Sequence, residues 1–218
     1  MGKQVNALLK EICGSLGYVY KKKRYIFLKQ YSTNVISTIG FMIASYQIKG
    51  HRLIAPLIGV IHEDVEKILR EVSTNEYIKK YPYTNTIFKH IGYIMPMHDW
   101  KEWDFIEPGT TSEAVINDLK ESLVRYSDIY CQRFSKLEDV IVAAEGKYWN
   151  AFNYGLFERL PIMYYLIGRK QKGIDFINKS LAKYDGADML FTEEYISNYM
   201  KLPEIGKESD ENLWQLLK

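Results

Sequence analysis

The sequence predicts an α+β protein: an antiparallel sheet of four or five strands with an N-terminal helix, followed by a helical C-terminal part. Three patterns carry that expectation. Apolar residues recur at helical spacing over the first sixteen positions. Alternation broken by turn residues follows through position 60, and three- and four-residue steps return from position 110 onward. The 218 residues suffice for one large domain or two closely associated parts. The expected division is a sheet region over 1–109 and a helical extension over 110–218, together forming two domains or one continuous one.

The elements follow in order. Val5, Leu8, Leu9, Ile12 and Leu16 form a helical stripe, bracketed at its end by Gly14 and Gly17. Lys3, Lys10 and Glu11 interrupt its apolar run, so it reads as an amphipathic helix rather than a signal peptide. Tyr18–Tyr20 and Tyr25–Tyr31 read as short strands joined by a basic turn, with Tyr25, Phe27 and Lys29 on one face and Ile26, Leu28 and Gln30 on the other. Val35–Ser45 is the next strand. His51–Val60 follows, and its Pro56, which cannot donate to a ladder, places it at an edge or gives it a bulge. His62–Val72 is a helix with acids in its first turn. A fifth strand is expected within "TIFKHIGYIM" at 86–95. Thr110 with Glu113 three positions later suggests a capping box opening a helix to Gln132, and Ser135 with Glu138 suggests a second. The stripe Trp149, Phe152, Leu156, Leu160, Met163, Ile167 is kinked or restarted by Pro161 and stopped by Gly168. Lys170–Tyr184 then packs back on it with Ile174, Ile177 and Leu181 inward.

Composition excludes some classes of function. Apolar residues make up 47% of the chain and charged ones 26%, which is globular rather than disordered. No run reaches the roughly 18 apolar residues of a membrane span. Two distant cysteines, Cys13 and Cys131, fit reduced buried thiols and a cytoplasmic location. Charge is uneven: residues 1–60 hold nine Lys or Arg against one acid, whereas 61–218 hold twenty against twenty-six. A basic front and an acidic back can steer a charged partner.

In the order of these features the chain resembles the bacterial DUF4304 family, some of whose relatives look like immunity proteins against secreted toxins. The resemblance spans about residues 5–145. It rests on the opening helix, "LGYVYKKKRYIFLK" at 16–29, "NVISTIGFMIAS" at 34–45, "LIGVIHEDVEKIL" at 57–69, "DWKEWDF" at 99–105 and "YCQRFSKLEDV" at 130–140. Gly17 and Tyr18 match the family's glycine–aromatic pair, and Met42 and Ala44 stand where a central-strand glutamine is expected. The resemblance implies an antiparallel α+β domain and assigns no catalytic residue.

Chemistry is sparse. No phosphate-binding glycine loop, activated-serine motif, HExxH or CxxC occurs. His62, Asp64 and His98 are the metal candidates, provided that the 81–109 connection folds back over the sheet end. Lys21, Lys22, Lys23 and Arg24, beside Tyr18, Tyr20, Tyr25 and Phe27, form a basic patch with aromatic neighbours of the kind that binds single strands. One turn of charge is a small footprint, and a solvated hairpin turn is the competing reading. Asp99, Trp100, Glu102, Trp103, Asp104 and Glu107 alternate acids with aromatics and are the candidate protein-binding residues. Their competing reading is that the indoles seal the sheet and leave the acids to solvent. The expected function is therefore that of a non-catalytic protein that binds another protein, a toxin in the immunity-protein version, with no cofactor and no membrane partner. The alternatives are a metal-assisted enzyme and a weak nucleic-acid-binding module.

Overall fold

The computed structural model describes residues 3–22, 25–45, 50–80, 84–106, 111–146, 156–184, 187 and 190–205. The fold is α+β, as the sequence predicts. After helix α1 (Lys3–Ser15) come strands β1 (Val19–Lys21), β2 (Ile26–Ser32), β3 (Val35–Ser45) and β4 (His51–His62). Helices α2 (Glu63–Val72) and α3 (Glu76–Lys80) precede β5 (Ile87–His90), a 3-10 turn (Ile91–Tyr93) and β6 (Trp103–Ile106). Helices α4 (Glu113–Arg133), α5 (Leu137–Glu145), α6 (Leu156–Leu166), α7 (Lys170–Lys183) and α8 (Glu193–Met200) complete it. The antiparallel sheet runs β1-β2-β3-β4-β5 in space, and β6 adds to β4. The chain divides into two compact units, each assembled from two separate stretches: 1–60 with 88–135, and 61–87 with 136–218.

In the first unit α1 buries Val5, Leu9, Ile12 and Cys13. A left-handed Gly17 (φ 81°) ends it: the Gly17 amide bonds the Gly14 carbonyl and the Tyr18 amide that of Cys13. This pair of bonds satisfies carbonyls the helix end would leave bare. The chain then turns directly into β1. Tyr20 faces Phe27 and Phe27 faces Ile39 across the ladder, so the three share one side of the sheet. Helix α1 covers that side, with Lys10 Nζ 4.5 Å from the centre of the Tyr20 ring. Beside them Tyr18 shares a buried 2.8 Å hydrogen bond with Ser37. The alternation expected in β2 is not one buried face against one wet one, because Ile26, Phe27 and Leu28 are all buried. Tyr25, in a left-handed conformation (φ 52°), falls outside the strand and is 62% exposed. Strand β4 is not an edge: it lies between β3 and β5, and Pro56 follows the stretch His51–Ile54 that pairs with β6.

Helix α4 opens at Ser112, whose Oγ accepts from the Val115 amide at 3.4 Å. Thr110, the expected cap, lies outside the described residues. The neighbouring Thr111 hydroxyl is held by the Ile106 backbone instead, which places Glu113 at the first helical position and removes it from a capping box. Ser135 likewise caps nothing; its hydroxyl donates to the Gln132 carbonyl. The inward face of α4 is Leu119, Ser122, Leu123, Tyr126, Ser127, Tyr130 and Cys131.

In the second unit α2 buries Val65, Ile68, Leu69 and Val72, and with them Glu66. Its carboxylate takes a bidentate pair from Arg159 (2.7 and 2.8 Å) and hydroxyl bonds from Thr84 (2.5 Å) and Thr86 (2.9 Å). Pro161 lies inside α6 rather than starting a helix. Left-handed Gly168 ends α6 with the same pair of bonds as Gly17, Gly168 to Tyr165 and Arg169 to Tyr164. The α6–α7 hairpin is present, but the inward residues of α7 are Gly173, Ile177 and Ser180, and Leu181 is 37% exposed. Trp149, Phe152 and the C-terminal "LWQLL" lie outside the described residues.

Candidate functional site

The acidic and aromatic run belongs to the first unit, where β5, the 3-10 turn and β6 hold it. β6 pairs with β4 in the register His51↔Ile106 to Ile54↔Trp103. Alternation along β6 sends Trp103 and Phe105 into the core, at 3% and 0% exposure, and Asp104 outward. The Trp103 indole N–H donates to Asp118 Oδ2 at 2.8 Å, and Lys101 Nζ lies 3.5 Å from the same oxygen and 5.0 Å from the centre of the Trp103 ring. Trp100 is half-buried and stacks flat on His90, with ring centres 3.9 Å apart and planes 5° from parallel. One indole is thus a core anchor and the other a partly open plate.

The acids are not equivalent. Asp104 Oδ2 lies 2.8 Å from His51 Nδ1, an exposed contact between neighbouring strands. Asp99 is exposed and, among the described residues, accepts only from the following amide of Trp100, at 2.7 Å. Glu102 is half-buried. Neither Asp99 nor Glu102 forms an ion pair among the described residues. Met97, 55% exposed and two positions from Asp99, adds an apolar contact point to the same segment. Glu107 lies outside the described residues.

The segment is pinned from behind. Gly92 in the 3-10 turn approaches it so closely that a Cβ there would sit 2.1 Å from the Asp99 carbonyl oxygen and 2.7 Å from the Lys101 nitrogen. The Gly92 amide donates to His90 Nδ1 at 3.2 Å. His90 is 1% exposed, and burial pushes its pKa below the ordinary histidine value. His90 and Gly92 are not among the residues that the sequence singles out, and no cap or turn signature in the sequence marks them.

The other candidates fare differently. Lys22 is exposed and Lys21 half-buried, while Lys23 and Arg24 lie outside the described residues. The aromatics beside them are not open stacking platforms: Tyr18 and Phe27 are buried, and Lys10 and Lys29 lie over the rings of Tyr20 and Tyr18. Of that set only Tyr25 projects freely. His62, buried at the start of α2, and Asp64 belong to the second unit, and exposed His98 to the first. No group of three or more His, Cys, Asp or Glu among the described residues is arranged to hold a metal ion. Both cysteines are free and buried, which pushes the Cys13 thiol up to about 12 and Cys131 to about 11, far from thiolate chemistry at neutral pH. No described helix is long and apolar enough to cross a membrane. No family model, curated protein or solved structure matches the chain.

Proposed function

We propose that this protein binds another protein without catalysing a reaction, and that its contact surface is the segment from Met97 to Asp104. The observation that carries the reading is the division of labour in that segment. Trp103 is locked in the core by Asp118, Trp100 lies on buried His90, and Asp99 and Glu102 present carboxylates that nothing in the described fold neutralises. A rigidly backed acidic rim around a half-open indole suits a basic protein surface, because charge steers the encounter while the aromatic and Met97 supply desolvated contact. The partner chemistry is thus that of a cationic protein. In keeping with the resemblance to the DUF4304 family, the proposed role is neutralisation of a nuclease-like toxin in the cytoplasm by covering its basic active surface.

The test is co-expression with the product of the neighbouring gene, comparing the native chain with an Asp99→Lys/Glu102→Lys double variant. The native chain is expected to protect the cells and to co-purify with a basic partner. The variant, folded as judged by circular dichroism, is expected to bind at least tenfold more weakly, with a reduced salt dependence. Undiminished protection by the charge-reversed chain would overturn the assignment of this surface, and a native chain that co-purifies with no partner and leaves toxicity unchanged would overturn the reading itself.

A further inference from the structure

We propose that His90 is an acid-sensitive latch on this surface: unprotonated, it holds the turn that backs residues 99–102, and protonated, it lets that turn go. The inference rests on the reading of the segment as a binding surface and adds to it a means of regulation.

The geometry specifies the tautomer. Because the Gly92 amide donates to Nδ1, the neutral ring carries its proton on Nε2. That atom is buried and has no hydrogen-bond partner among the described residues, while the Lys101 backbone favours the charged form of the ring. A proton added at Nδ1 sets two N–H groups against each other across a 3.2 Å gap, so the bond to Gly92 must break. Gly92 has no room to absorb the change locally, because its backbone is in contact with Asp99 and Lys101. Displacing the turn therefore displaces the stretch that carries Asp99, Trp100 and Glu102.

The groups facing the ring are Trp100, stacked on it; Tyr93 of the 3-10 turn, edge-on at 5.8 Å; the Lys101 backbone; and Glu102, the charged side chain that favours the proton. Burial opposes them and prevails, which places the switch below pH 6.5. Protonation of the ring then costs the surface its shape.

The test is an NMR titration of the isotope-labelled full chain from pH 7.5 to 4.5, with no partner present. The ring of His90 is expected to titrate below pH 6.5, and the amides of Gly92 and residues 99–102 to move with the same midpoint. Trp100 fluorescence is expected to change in step, identified by its loss in Trp100→Phe. His90→Asn keeps an acceptor for the Gly92 amide, as asparagine does in tight turns, and is expected to abolish the shared transition. Amides that ignore the His90 midpoint, or a transition that persists in His90→Asn, would overturn the latch. If that variant does not fold, the native titration alone decides. Since all of this is read on the free chain, a latch that titrates beside a charge reversal that leaves binding unchanged faults the binding surface and not the latch.

Discussion

Glu66 and Glu158 are both buried in the second unit, and their surroundings make opposite demands on them. The Glu66 carboxylate accepts four hydrogen bonds, two from Arg159 and one each from Thr84 and Thr86. Such a pair contributes little over apolar side chains of the same volume, but losing one member leaves a buried charge bare. Glu66→Gln is therefore expected to cost about 3–5 kcal/mol in urea unfolding, and a double replacement of Glu66 and Arg159 by methionine to recover most of it. Glu158 has only a long 3.4 Å bond from Ser73, and burial pushes its pKa up against the pull of Arg159. A carboxyl with a raised folded pKa binds more protons in the native state than in the unfolded one. Its contribution to stability is complete below the unfolded value, about 4.3, and is lost as pH rises through the folded value. Glu158→Gln stays neutral throughout, so it is expected to unfold at higher urea than the native chain at pH 8 and to match it near pH 4. A difference that does not shrink towards pH 4 would rule out a proton on Glu158 as the cause.

At the scale of the elements, close approach depends on residues that hydropathy counts as neutral. Gly173 in α7 is such a point: a Cβ there would lie 2.1 Å from the Tyr199 hydroxyl and 3.0 Å from the Pro161 carbonyl. That hydroxyl is committed, donating to Pro161 O at 2.9 Å. Gly173→Ala is accordingly expected to lower stability by about 1–3 kcal/mol, and Leu181→Ala, on the exposed side of the same helix, by under about 0.5 kcal/mol; thermal or urea unfolding measures both. This explains what was and was not legible in the sequence. Val35–Ser45 is readable to the residue and the start of α2 to within one, because alternation and first-turn acids follow local chemistry. The burial of Trp103 beside outward Asp104 follows from β6 alternation. The inward face of α7 is not readable, since Gly173 faces in against Pro161 of α6 and Tyr199 of α8, far from it in sequence. Nor does periodicity identify Glu158 and Arg159 as a pair of roles, although two charges inside the apolar run "LFERLPIM" are a signal of buried ionic structure. His90 was obscured for a different reason: its partner is a backbone amide, which has no letter of its own.

Each compact unit of the whole chain is drawn from two separate stretches, and charge is distributed across them accordingly. The basic residues 1–60 share a unit with 88–135, which holds five Lys or Arg against eight acids, so a basic region and the acidic rim belong to one compact body. That unit is interrupted by 61–87, whose helix α2 belongs to the other unit and buries Val65, Ile68, Leu69 and Val72 there. The helices packed against α2 include α6 and α8, both drawn from beyond residue 136. A chain ending at Ser135 keeps every segment of the first unit but strands α2 with four apolar side chains and the Glu66 carboxylate uncovered. Exposure of such a stripe is worth about 1.5–3 kcal/mol per large side chain, more than a short helix can offset. The 1–135 fragment is therefore expected to self-associate on size exclusion and to bind a hydrophobic dye, whereas the full chain does neither. Replacing Val65, Ile68, Leu69 and Val72 in the fragment by polar helix-forming residues should remove the dye signal, while the same four changes in the full chain should unfold the second unit. A monomeric, dye-silent 1–135 fragment would show that α2 does not depend on the C-terminal helices, and that the two units are less interleaved in stability than they are in sequence.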